Sequence, residues 1–225
     1  MEKKRGAGPC AAVKSQPPVY DGKVPHKAVI FDLGKVLIPF DFQRGYRALE
    51  EFCPHPAVEI RRRIIASGLV LPFETGLIEP RDFVARLAAA LDLTTDYAGF
   101  CRAWSSIFYG QLIPDRVLES LAARYRLVLL SNTNAIHFEM VRESYPLLRY
   151  FHDLVLSYEV RAMKPDPRIY HAAMERAGCG PEECFYTDDI AENVEAGRRE
   201  GMDSVLFETA KQLEQEMRER GITWE

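Results

Sequence analysis

Five short apolar runs constrain this chain more than anything else in it: "KAVIFD" (27–32), "RLVLLSN" (126–132), "DLVLSYEV" (153–160), "ECFYTDD" (183–189) and "DSVLFE" (203–208). An apolar run of strand length without alternation marks a strand covered on both faces, as in a parallel sheet between helices. Helical patterns separate the runs. "DRVLESLAARY" (115–125) puts Val117, Leu118, Leu121 and Ala122 on one face, and "DPRIYHAAMERAG" (166–178) offers Asp166 as N-cap, Pro167 at the first helical position and Gly178 as the stop. Strands alternating with helices predict an α/β fold, a doubly wound, Rossmann-like parallel sheet.

Residues 42–112 break that rhythm. "FQRGYRALEEF", "AVEIRRRIIASG", "EPRDFVARLAAALDL" and "YAGFCRAWSSIF" all read as helices, with Phe83, Val84, Leu87, Ala88 and Leu91 forming one stripe. The expected organisation is an α/β core of residues 27–41 and 113–225, interrupted after its first strand by an all-α cap at 42–112. Residues 1–26 carry neither period and are expected to form a mobile tail.

Lysine plus arginine is 29 against 33 acids, a net of 29 − 33 = −4, with no basic half, so no nucleic-acid surface is indicated. The five cysteines, Cys10, Cys53, Cys101, Cys179 and Cys184, are odd in number and lack CxxC spacing, which suits a reducing compartment. No run approaches the ~18 apolar residues of a membrane span, and the opening lacks a signal-peptide pattern. A cytoplasmic protein acting on a small soluble partner, without nucleic acid or membrane, is expected; oligomeric state is open.

In an open parallel sheet, ligands bind beyond the carboxyl ends of the strands. Those ends are Asp32, then Ser131-Asn132-Thr133-Asn134, then a stretch carrying Lys164, then Asp188-Asp189 with Asn193 four residues on. Each alone reads as a turn, a loop or a helix cap. Together, carboxylates from different strands, a hydroxyl and a lysine are the parts needed to hold a phosphoryl group beside Mg²⁺.

The motifs "VIFDLGKVL", "VLLSNTN", "KPDPRIY" and "FYTDDIAENVEAGRREGM", with "FETGLIEPRDFVARL" in the insert, together resemble the haloacid dehalogenase-like (HAD) superfamily, subfamily I. The resemblance spans residues 27 to about 208. It implies a Mg²⁺-dependent phosphatase of a small phosphomonoester, with Asp32 as the nucleophile that becomes an aspartyl-phosphate. Ser131 and the backbone at Asn132 would bind phosphate, and Lys164 would neutralise charge. Asp189 aligns with the main metal-binding carboxylate, alongside Asp32 and the Gly34 carbonyl, while Asp188 and Asn193 rank below it. Both cations would keep Asp32 ionised.

Many phosphatases of that superfamily carry a second acid two positions after the nucleophile. Gly34 stands there, and it cannot carry a proton. General acid–base help is worth ~10²–10⁴ in rate, so esters with good leaving groups are favoured. The branch that reads Asp-Leu-Gly-Asn includes a glucose 1-phosphate phosphatase, which makes sugar 1-phosphates a reasonable substrate class; here Lys35 replaces the asparagine. Asp41 is a candidate for the missing proton donor, and Phe73, Glu74, Trp104 and Tyr109 are candidate specificity residues of the cap. Two alternatives stand beside the phosphatase: a non-catalytic, regulatory phosphate-binding protein, and a 2-haloacid dehalogenase. Dehalogenase relatives usually have an aromatic residue at the Gly34 position, which argues against the last.

Overall fold

The computed structural model describes residues 26–224; apart from His26, the expected tail lies outside them. Five strands form one sheet in the order β3-β2-β1-β4-β5, and every neighbouring pair is parallel. They are β1 (Ala28–Phe31), β2 (Arg126–Ser131), β3 (Asp153–Leu156), β4 (Cys184–Asp188) and β5 (Asp203–Leu206). All four residues of β1 are buried, as expected for a central strand covered on both faces.

The alternation along β1 divides the core in two. Val29 and Phe31 join Leu127, Leu129, Phe138, Leu213 and Met217 on one face, under α6 (Asp115–Ala122), α7 (Ala135–Ser144) and α11 (Ala210–Glu219). Ala28 and Ile30 join Ile169, Tyr170, Ala173 and Ala196 on the other, under α9 (Pro167–Ala177) and α10 (Ala191–Arg199). Asp166 caps α9 through a bond from the Arg168 N–H, Pro167 opens it and Gly178 closes it at φ +68°.

One strand ends sooner than its sequence suggests. The run "DLVLSYEV" is extended only to Leu156, and Ser157–Val160 forms a short helix, α8. The Ser157 hydroxyl accepts the Thr133 N–H at 2.9 Å, replacing ladder pairing beyond the end of β2.

Between β1 and α6 lie five helices: α1 (Phe42–Glu50), α2 (Ala57–Ser67), α3 (Val70–Glu74), α4 (Pro80–Leu91) and α5 (Tyr97–Ser105). Their apolar faces meet in a separate cluster that includes Leu49, Ile60, Phe83, Leu87 and Phe100. Phe73 stacks on Phe83 at 4.0 Å between centroids. The outgoing and returning chains run side by side: Asp41 N–H donates to Ile107 O, Tyr109 N–H to Pro39 O and Leu112 N–H to Leu37 O. Both junctions are thereby fixed to each other. No helix of the described residues is long and apolar enough to cross a membrane.

Candidate active site

Sheet register assembles the site. Phe31 pairs with Leu129 on one side and Thr187 on the other. The residues that follow, Asp32, Leu130 and Asp188, therefore stand level at the same edge. Lys164 arrives from the segment before α9, and its Nζ donates to Asp32 Oδ1 at 2.5 Å, Asp188 Oδ2 at 2.6 Å and Leu130 O at 3.0 Å. All three ammonium protons are engaged. The Asn132 side chain holds the lysine in place: Lys164 N–H donates to Asn132 Oδ1 at 2.8 Å, and Asn132 Nδ2 donates to Lys164 O at 3.0 Å. Asn132 thus positions Lys164 with its side chain, a role its sequence neighbourhood does not suggest.

Asp188 is completely buried. It accepts hydrogen bonds from Lys164, from Tyr186 Oη at 2.6 Å, from Ile190 N–H at 2.8 Å and from Asn193 Nδ2 at 3.1 Å. Burial opposes its charge, yet Lys164 and these donors outweigh burial and hold the carboxyl below the usual range. Asn193 orients Asp188 through its amide. Asp32 goes the other way. Burial and the neighbouring Asp188 charge push it up to about 7 against the attraction of Lys164.

Asp32, Asp188 and Asp189 bring carboxylate oxygens within 4.8 Å of one another. Three acids face one buried lysine, Lys164, with Lys35 only at the exposed edge, and this adds to the burial that raises Asp32. A hard cation that takes oxygen ligands, as Mg²⁺ does, fits this donor set and would offset its negative charge. Both acids belong to the cluster, Asp188 buried and held by Lys164 and Asp189 nearer its edge beside Lys35.

After Asp32 the chain folds back tightly: Ile38 N–H donates to Leu33 O, and Lys35 N–H to Ile38 O. Lys35 adopts a left-handed φ of 57°. Its Nζ lies 4.0 Å from Asp189 Oδ2 and 5.2 Å from the centre of the Phe40 ring. Half-exposed, it borders the carboxylate cluster, and an exposed pair at this distance contributes little to stability. A Cβ at Gly34 would sit 2.6 Å from Phe40 Cε1, so any side chain there must displace the Phe40 ring. Asp41 is exposed and accepts the Gln43 N–H at 2.9 Å as N-cap of α1. Its carboxylate holds a helix end.

Ser131, Asn132, Thr133 and Gly34 line a cleft of about 60 Å³ together with Phe42, Glu74, Ile107 and His137. Glu74 is the one carboxyl on that wall, and burial pushes it up to about 7. Its backbone is tied to the core. Ser157 Oγ lies 2.7 Å from Glu74 O and 2.9 Å from Thr133 O, within donating distance of both. Gly76 then packs so closely that a Cβ would meet Tyr158 O at 2.0 Å, at a φ of +67° that itself favours glycine. These contacts give the "FETG" stretch a physical reason.

His137 joins the insert to α7. Its Nε2 lies 3.1 Å from Trp104 O and must donate there, so Nδ1 accepts from Asn134 Nδ2 at 3.0 Å. Burial holds it neutral, down to about 4. Of the four cap candidates, Glu74 and Trp104 line cavities, Phe73 is core, and Tyr109 lies at the surface against Arg44.

Residues 26–201 match the family described as haloacid dehalogenase-like hydrolase. A phosphatase of Mycobacterium tuberculosis is 29% identical over 82% of this chain and 88% of its own length. A D-ribitol-5-phosphate phosphatase of Bacteroides thetaiotaomicron is 25% identical over 85% and 96%. A HAD family enzyme of the same bacterium, solved in complex with magnesium and inorganic phosphate, superposes with a TM-score of 0.73 at 30% identity, covering 82% of this chain and 96% of that one. The strand-end cluster, the order of its motifs and these matches agree, and the chain belongs to the haloacid dehalogenase-like hydrolases.

Proposed function

We propose that this chain is a Mg²⁺-dependent phosphatase that cleaves a small phosphomonoester through an aspartyl-phosphate on Asp32, with the insert at 42–112 acting as its cap. The observation that carries this reading is the Lys164 ammonium fixed between Asp32 and Asp188, with Asp189 in the same cluster. Asp32, Asp188, Asp189 and the Gly34 carbonyl would hold the ion, which supplies positive charge to the phosphoryl oxygens and keeps Asp32 ionised. Ser131 and the backbone at Asn132, at the end of β2, would receive the phosphate.

In the first step an oxygen of Asp32 attacks phosphorus while the bond to the alcohol oxygen breaks. That oxygen needs a proton. Gly34 has none, and we assign the role to Glu74, which shares the cleft with Gly34 and Ser131 and can still be protonated near neutral pH. In the second step water attacks the aspartyl-phosphate, Glu74 accepts its proton, and inorganic phosphate leaves with Asp32 restored. Lys164 holds Asp32 in one orientation throughout. Free thiols at Cys53, Cys101, Cys179 and Cys184 support a reducing, cytoplasmic setting.

The test is release of phosphate from 4-nitrophenyl phosphate, with Mg²⁺ and with EDTA, by the wild-type chain and by Asp32→Asn. Release that needs both Mg²⁺ and Asp32, falling at least about 10⁴-fold in the variant, is the expected result. Absence of release by wild type in either condition would replace the phosphatase reading with the phosphate-binding one.

A further inference from the structure

The site described above has a largely apolar neighbour. A second cavity, of about 400 Å³, opens within the helical insert and shares Phe42, Glu74, Ile107 and His137 with the cleft beside Gly34 and Ser131. Its size is that of a small-molecule site. Most of its wall is hydrocarbon, from Ile64, Ile65, Val70 and Leu71, with Trp104 at one side.

From the phosphate end to this cavity the surface changes character in steps. Lys35 stands beside Asp189 and over Phe40; Phe40 lies against Phe42 at 5.0 Å between centroids, and Phe42 stacks on Tyr46 at 6.4 Å. Three of the large apolar side chains that the described residues leave exposed, Phe42, Ile65 and Leu71, belong to this one cavity. Exposed apolar residues gathered at one opening mark a surface that receives something.

Polar groups on the wall are few. Both ring nitrogens of His137 are already engaged, with Trp104 O and with Asn134. The Trp104 indole N–H is buried without a partner, and the Tyr46 hydroxyl and the Glu74 carboxyl complete the set. A polyol carries a hydroxyl on nearly every carbon, and each one left without a partner weakens binding by roughly tenfold or more. A hydrocarbon body incurs no such loss and gains about fourfold per methylene removed from water.

We infer that the organic half of the preferred substrate is apolar: a phosphomonoester of an alkyl, prenyl or similar hydrocarbon alcohol, with its phosphate beside Asp32 and its body in the insert cavity. This rests on the phosphatase reading and sharpens it. Sugar phosphates enter by their phosphate alone and are held more weakly.

The test compares primary alkyl phosphates of increasing length, ethyl, butyl and hexyl, with glucose 6-phosphate, which also leaves as a primary alkoxide. Reaction chemistry is thus matched and only the body differs. With purified full-length chain and Mg²⁺, kcat/KM should rise about fourfold per methylene, mostly through KM, and hexyl phosphate should exceed glucose 6-phosphate by about 10²-fold. The double variant Ile65→Ser/Leu71→Ser replaces two exposed side chains and should cut the slope to under about twofold per methylene. A flat alkyl series, or a preference for glucose 6-phosphate, alongside Mg²⁺-dependent hydrolysis of 4-nitrophenyl phosphate, overturns this inference alone. No release from any ester, the aryl phosphate included, overturns the phosphatase reading and this one with it.

Discussion

The strand-end cluster and the insert cavity lie next to each other and are built on opposite principles. In the cluster the buried charges are tightly held: Lys164 by two carboxylates and a carbonyl, Asp188 by four donors, and the Lys164 backbone is tied by Asn132. In the cavity the walls are aliphatic and aromatic, and three of its apolar side chains face solvent. In the proposed reaction the first arrangement would fix where a phosphoryl group sits and which atom attacks it. The second makes few directional demands and selects by shape and hydrophobicity. Reaction and selection are therefore separable here, meeting only at shared residues such as Glu74 and His137.

Breaking the cluster should have the largest effect. Lys164→Met keeps the length and removes the charge, leaving Asp32 and Asp188 to face each other. Removing one partner of a buried charged set costs about 3–5 kcal/mol, to be read from urea unfolding at neutral pH. The deficit should shrink as pH falls, because protonating either carboxylate relieves the repulsion, and aryl phosphate turnover should fail with it. A loss under about 1 kcal/mol would show that the lysine is not what holds the carboxylates together.

At the boundary the effect should be smaller and depend on the substrate. Glu74→Gln keeps shape but cannot donate, so hydrolysis of alkyl phosphates should fall by about 10²-fold, and that of an aryl phosphate by less than tenfold. Wild-type kcat/KM should decline above about pH 7 as Glu74 loses its proton, and the variant should lack that limb. Stability gives an independent reading. A carboxyl raised from the ordinary 4.5 to about 7 in the fold contributes fully below pH 4.5 and loses that contribution as pH rises towards 7. Unfolding measured across that range should slope more steeply for wild type than for the variant, in which Asp32, also raised to about 7, keeps its own share of the slope.

The two regions also differ in how much of them the sequence discloses. The placement of Asp32, Ser131 and Asp188-Asp189 is legible because strand ends are legible: an apolar run stops, a polar residue follows, and parallel register brings such ends to one edge, whereas Lys164, in the loop after α8, is picked out by its motif. Which atom serves which neighbour is not legible. The motif points to the backbone at Asn132 and says nothing of its side chain, which turns to Lys164 across 32 residues. Asn193 and Asp41 are chosen by motif and by proximity in the chain; one orients Asp188, and the other caps α1. In the insert, periodicity finds α1, α2, α4 and α5 but passes over the five-residue α3, too short to show a face. That helix ends in Glu74, so the residue that joins the two regions lies where pattern reading is weakest.

The smallest effect tests whether Gly34 is a matter of space or of chemistry. A Cβ at position 34 meets Phe40 Cε1 at 2.6 Å and Cδ1 at 3.2 Å, so Gly34→Ala should displace the ring. Overpacking of this kind costs about 1–3 kcal/mol. Phe40 also packs against Phe42 and Phe108 and lies under Lys35, so a displaced ring should disturb the passage between cluster and cavity. Removing the ring with Phe40→Ala in the same chain should recover most of the loss attributable to the clash, read as a non-additive pair in thermal unfolding. Gly34→Asp/Phe40→Ala then has room for a second acid, and alkyl phosphate hydrolysis should exceed that of Gly34→Asp alone. If the two substitutions simply add, the ring does not bar position 34, and the case for Glu74 as the proton donor loses its steric half.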